Sequence, residues 1–163
     1  MVADIIAIVI SFIALVFSLI QFFVEKDRNR KEATIHAFDS LEESKNILFL
    51  FSLSKNEVDD LVSRKKNYDK RIESDWEKLS NALPLIEHFA VGINSGIYDI
   101  STLNRMAGNQ MISVFYTCDM LITYKRKGQG KENNYIEFET MVKELIKIRQ
   151  KENQSIPENT NNL

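Results

Sequence analysis

Glu87 and His88 stand side by side, and His36 is the only other histidine in the 163 residues. A metal centre built on helices draws on spacings such as His-x-x-x-His or Glu-x-x-His, which place the ligands on one face. Neither spacing occurs. Neighbouring residues on a helix diverge by about 100°, so Glu87 and His88 do not converge on one ion. Glu87 reads instead as a cap, or as the partner of a bundle arginine such as Arg105. The single cysteine, Cys118, excludes an intrachain disulfide and any paired-cysteine metal site. Its place between Val114 and Leu121 marks it as a small buried hydrophobe. No Ser-His-Asp or Cys-His spacing emerges. No catalytic activity, cofactor or metal is expected.

Two further stretches are candidates for binding. G-I-N-S-G, residues 92–96, has two glycines but neither G-x-G-x-x-G nor GK[S/T], and no strand pattern leads into it. Helix termination accounts for both glycines. Gly96 can take the left-handed conformation that ends a helix, and Asp99 or Ser101 can cap the next one. Gly92, Gly96 and Asp99 are therefore assigned to a helical hairpin turn. Y-K-R-K-G-Q-G-K gathers Lys125, Arg126, Lys127 and Lys131 beside Tyr124. Contact with RNA or acidic lipid headgroups is one reading. A basic helix end followed by a solvated loop is the simpler one. The net charge of -2 supplies no field that would draw nucleic acid.

The most ordered pattern lies at the N-terminus, D-I-I-A-I-V-I-S-F-I-A-L-V-F-S-L-I-Q from Asp4 to Gln21. Its small and polar residues are Asp4, Ala7, Ser11, Ala14, Ser18 and Gln21, spaced three, four, three, four, three. Everything else is Ile, Val, Leu or Phe. The run from Ile5 to Val24 is about long enough to cross a ~30 Å hydrocarbon core as a helix. A cleaved signal peptide would want a basic start and small residues ahead of a cleavage site. Here the start carries Asp4 and no Lys or Arg, and Leu19 to Val24 offers no small-x-small pair. In lipid, helices associate through close backbone approach and polar bonds, and three-four spacing matches left-handed packing. Ala7, Ser11, Ala14, Ser18 and Gln21 are thus expected to form a self-association seam. The same face could line a small pore. Lys26, Arg28, Arg30 and Lys31 follow at once, which by the positive-inside rule puts this end in the cytoplasm and the N-terminus outside. Contact with anionic headgroups is their second use.

These features need helices to hold them, and the chain supplies helical periodicity throughout. Ile35, Phe38, Leu41 and Leu48 extend the anchor's pattern, and no Gly or Pro intervenes before Lys55. From Lys55 to Lys78 the charge is dense and mixed, which reads as a solvated helix and connection. Ile72, Trp76, Leu79, Leu83, Ile86, Ala90 and Ile93 form a bundle seam, with a kink expected at Pro84. Ile100, Leu103, Ala107, Met111, Val114, Cys118 and Leu121 form the next, on a helix expected to reach Lys127. Tyr135, Phe138, Val142 and Leu145 open a last helix, whose end carries Lys147, Arg149 and Lys151. The expected division is an anchor at 1–25, a juxtamembrane helix and charged connection at 26–71, a helical bundle at 72–152 and a flexible tail at 153–163.

W-E-K-L-S-N-A-L-P-L-I-E-H-F-A-V-G-I-N-S-G-I-Y-D, with Y-I-E-F-E-T-M-V-K-E-L near the end, resembles a family of small bacterial and mobile-element proteins. That family is catalogued as a domain of unknown function, number forty-seven sixty. The resemblance rests on Trp76, the Glu87 helix, the Gly92/Gly96 turn with Asp99, and the Tyr135/Phe138 helix. It implies one N-terminal transmembrane helix, a cytosolic helical domain and no catalytic residue. The expectation is an all-α, single-pass protein of the cell membrane, with an antiparallel helical bundle in the cytoplasm. It would act as an interaction module whose partners are the bilayer, further copies of itself and an unidentified protein, with no specific nucleic acid. The alternative is a pore-like, membrane-disrupting effector gated by the bundle, in phage defence or on a mobile element.

Overall fold

A computed structural model describes residues 2–129 and 133–157, the side chains of residues 2–8 and 129 excepted. The described residues are helical: α1 (Val2–Glu42), α2 (Lys45–Ser52), α3 (Lys55–Lys66), a 3₁₀ turn (Lys70–Ile72), α4 (Glu73–Asn94), α5 (Ile100–Thr117), α6 (Asp119–Gln129) and α7 (Ile136–Lys151). α1 contains neither Gly nor Pro and runs unbroken from the apolar segment into the bundle. Residues 9–29 are exposed along its whole N-terminal part. The bundle side begins at Thr34, Phe38 and Leu41, which are buried.

α4 is the central element. It packs against α7, α2 and α1, while α5 packs against α7 and α1, and α3 against α6. α7 thus lies against both α4 and α5, which makes the expected hairpin an open corner filled by the last helix. The two seams read from the sequence face the core: Ile72, Trp76, Leu79, Leu83, Ile86, Ala90 and Ile93 are buried, as are Leu103, Ala107, Met111, Val114, Cys118 and Leu121. Full burial of a Leu or Ile side chain contributes roughly 1.5–3 kcal/mol.

Several local expectations need correction. The charged stretch from Lys55 to Lys78 is not wholly solvated, because Val58, Leu61, Val62, Ile72 and Trp76 belong to a core that also takes in Phe38, Leu41, Ile47 and Leu50. Of the four residues expected on one face, Phe38 and Leu41 are buried, whereas Ile35 and Leu48 are exposed. Ile35 lies on the flank of α1 beside the buried face, and Leu48 leaves the pattern because α1 stops at Glu42 and α2 restarts after a turn. There the Glu43 N–H donates to Asp39 O and the Ser44 N–H to Leu41 O. α3 begins with a reciprocal capping box between Ser54 and Glu57. α4 runs through Pro84 as one helix, as read. α5 has irregular backbone at Ala107, and the helix expected to reach Lys127 ends at Thr117 before α6 begins. The first residues of the expected tail are anchored. The Gln154 N–H donates to Arg149 O at 2.9 Å, Asn153 takes a φ of 53°, and Ile156 packs against the core. This is the left-handed closure that ends many helices.

Candidate functional site

The structure brings together two features that lie far apart in the chain, the basic end of the apolar run and the Gly92–Asp99 turn. Thr34 sits one helical turn beyond Arg30 and is fully buried. Its hydroxyl donates to Arg30 O at 2.7 Å and accepts the Asp99 N–H at 2.7 Å. The Asp99 carboxylate caps α5, accepting from the Thr102 N–H at 2.7 Å and the Thr102 hydroxyl at 2.8 Å. Its other oxygen, Oδ2, receives Arg30 Nη2 at 3.2 Å. Burial alone would push the Asp99 carboxyl up. The two bonds from Thr102 and the nearby charges of Arg30 and Lys31 outweigh it and hold the carboxyl below its ordinary range. The site is a four-residue lock of Arg30, Thr34, Asp99 and Thr102.

The turn itself depends on two glycines for different reasons. Gly96 adopts φ +74°, and a Cβ there would meet nothing within 4 Å. Gly92 is helical, but the Tyr98 ring lies so close that a Cβ would stand 2.2 Å from its Cε2. The Tyr98 N–H donates to Gly92 O at 3.0 Å. The ring stacks on Phe89 at 5.4 Å, and Phe89 meets Phe38 of α1 edge-on at 6.0 Å. An aromatic ladder therefore ties the turn to α1 beneath the polar lock. Above it, Ile97 is 60% exposed. It shares a cleft of about 390 Å³ with Phe22, Glu25, Lys26, Asn29 and Arg30.

The remaining sequence candidates sort as follows. Ser11, Ala14, Ser18 and Gln21 are exposed on α1, and the Ala7 side chain lies outside the described residues. Arg28 pairs with Glu32 at 3.6 Å and Lys31 with Asp27 at 2.5 Å, both on the surface, where such pairs contribute little. Lys26 lines the cleft. Glu87 is a cap, as expected, and not the partner of Arg105: its carboxylate crosses from α4 to accept the Glu137 N–H at 3.1 Å and the Phe138 N–H at 2.8 Å. His36 and His88 are exposed, and no cluster of three or more His, Cys, Asp or Glu residues suited to a metal occurs among the described residues. Burial pushes the Cys118 thiol up to about 12, with Lys55 opposing.

The basic stretch divides. Lys125 reaches the Ser80 hydroxyl and lies 5.4 Å from the Trp76 ring centroid, which Lys65 also approaches, at 5.6 Å. Arg126 donates to Asn134 O and Glu139 at 2.8 Å each. Both are bound into the fold. Lys127 is exposed, and Lys131 lies outside the described residues.

Besides the lock, a second buried polar site escaped the sequence reading. Arg149, 8% exposed, donates to Asn104 Oδ1 at 3.1 Å and Ser155 O at 2.7 Å, while Asn104 Nδ2 donates to Gln154 Oε1 at 3.1 Å. The signal was present. Phe138, Val142, Leu145 and Arg149 continue one seam at four, three, four.

Among the described residues α1 is the one helix long and apolar enough to cross a membrane, and its apolar window is wholly unburied. No curated protein and no solved structure matches the chain. A family model does match, over residues 7–145, from within the apolar run to the middle of α7. That span is most of the sequence, and the chain belongs to the family described as a domain of unknown function, DUF4760.

Proposed function

We propose that this protein is a single-pass, membrane-anchored helical interaction module that self-associates through the Ala7, Ser11, Ala14, Ser18 and Gln21 face of α1. The observation that carries the reading is angular. Taking Ser18 as the reference and about 100° per residue, Arg30, Thr34, Phe38 and Leu41 lie about 120°, 160°, 200° and 140° around the helix. The bundle is therefore attached to the side of α1 opposite the small-residue face. Two copies can bring those faces together in lipid with their bundles pointing outward. Ser18 and Gln21 then supply hydrogen bonds across a seam that small side chains allow to close. The basic residues Lys26, Arg28, Arg30 and Lys31 orient the bundle to the cytoplasm. The module acts by contact and not by catalysis.

The test is disulfide crosslinking in native membranes, with Cys118 replaced by alanine and single cysteines scanned from Ala7 to Gln21. Crosslinking that peaks at 7, 11, 14 and 18 is expected. A flat profile counts against self-association through this face.

The unbroken passage of α1 into the core favours one second reading, a pore-like effector in which the bundle gates a leak. Overexpression with a membrane-potential dye separates the two. Depolarisation belongs to the effector, and a polarised membrane under every condition removes it.

A further inference from the structure

We infer that the α4–α5 turn is a second membrane contact, in which Ile97 enters the headgroup–acyl boundary and a phospholipid fills the cleft between the turn and α1. The inference rests on the reading of α1 as a membrane anchor. A single exposed isoleucine is ordinary on a protein surface. The height of this one is not. The cleft it shares is lined by Phe22 at one end and by Asn29 and Arg30 at the other. The apolar run ends at Val24. From Phe22 to Asn29 the helix rises about 10 Å, which spans the polar boundary layer of one leaflet. A side chain beside both residues stands at that boundary.

The turn cannot drift from this height, because Asp99, two residues beyond Ile97, is held to Thr34 at 2.7 Å and to Arg30 at 3.2 Å. The chemistry of the lining matches a phospholipid in the order a leaflet presents it. Phe22, 60% exposed, and Ile97 offer apolar surface on the bilayer side. Lys26 offers positive charge on the solvent side, beside the partly exposed guanidinium that Arg30 shares with Asp99, and a phosphate oxygen is the acceptor such a pair of cations takes. Glu25 also lines the cleft and limits its net positive charge, so the fit is to a phospholipid phosphate flanked by acyl chain, not to a polyanion. With α1 as one point and the turn as a second, the bundle is fixed in orientation on the membrane.

The experiment uses the full chain in vesicles of phosphatidylethanolamine and phosphatidylglycerol, with Cys118→Ala and a fluorescent nitrobenzoxadiazole label at one of three introduced cysteines. Phe17→Cys reports the anchor and Ile97→Cys the turn. Tyr68→Cys reports the far end of the bundle, beyond the start of α4, which is about 33 Å long. Nitroxide lipids labelled near the headgroup serve as quenchers, and nitroxides deep in the acyl chain serve for residue 17. Loss of fluorescence at 97 with shallow nitroxides, alongside none at 68, is the expected result. Quenching at 17 with residue 97 as bright as 68 overturns the second contact and leaves the anchor standing. No quenching at 17 removes the anchor and this inference with it.

Discussion

The Thr34 hydroxyl accepts the backbone N–H of Asp99 at 2.7 Å across 65 positions of sequence, while it donates to Arg30 O on its own helix. One hydroxyl thus satisfies a buried donor at the start of α5 and fixes where that helix meets α1.

Replacing Thr34 by valine keeps the shape and removes the acceptor. A buried N–H left unpaired costs about 1–3 kcal/mol, and the thermal midpoint in micelles should fall accordingly. The Asp99 amide should lose protection in hydrogen exchange while amides within α7 keep theirs. Unchanged protection at Asp99 would show that another group takes over the bond.

The two turn glycines should respond differently. Gly96→Ala meets open space but must hold φ +74°, at about 1 kcal/mol. Gly92→Ala is conformationally easy but overlaps the Tyr98 ring, at about 1–3 kcal/mol. Tyr98→Ala should relieve much of the Gly92→Ala cost and none of the Gly96→Ala cost. A double-mutant cycle measures this directly. Equal coupling of both glycines to Tyr98 would mean the ring does not make the contact described.

Tyr68 holds φ 58° at the end of α3, and its side chain is 90% exposed, so the ring brings no burial to offset the backbone. Tyr68→Gly should stabilise the bundle by about 1 kcal/mol. Tyr68→Ala, still a left-handed non-glycine, should give no such gain. A gain of equal size from alanine would place the effect in the ring.

Asp99 is held below the ordinary carboxylate range in the folded protein. The unfolded chain therefore takes up the proton first as the pH falls. The stabilising contribution of the carboxylate is complete above about pH 4 and is lost as the pH drops through the lowered value. Asp99→Asn retains a capping oxygen but not this titration. Its midpoint should fall less than that of the parent protein between about pH 5 and pH 3. Parallel curves would assign the acid sensitivity to other carboxylates. Glu139, lowered by its bonds to Lys143 and Arg126, is the next to test.

What could be read from the sequence was what periodicity encodes. The α4 and α5 seams, the end of α4 at Gly96 and the capping roles of Asp99 and Glu87 each follow from a local pattern or a residue's own preference. The lock was not legible, because nothing in the spacing of Arg30 and Thr34 points to a residue 65 positions later. The role of residues 26–71 was obscured for a different reason. α2 is eight residues long, too short to display a period, and α3 places only three buried side chains among nine others. Arg149 was hidden by its charge. It occupies a core position in the α7 register, but a basic residue in a last turn suggests solvent and dipole before burial.

α1 carries 41 residues without a glycine or proline, about 60 Å of continuous helix. A rod of this kind behaves as a drive shaft. In the proposed membrane setting, sliding along its axis or tilting is resisted where apolar surface would have to enter water, whereas spinning about the axis moves no residue to a different depth. With α1 as the proposed membrane anchor, the lock and the aromatic ladder join the bundle to the end of the helix beyond the apolar run, so a turn of the bundle about that axis carries Ser18 and Ser11 with it. Torque is the mechanical signal such a shaft carries best.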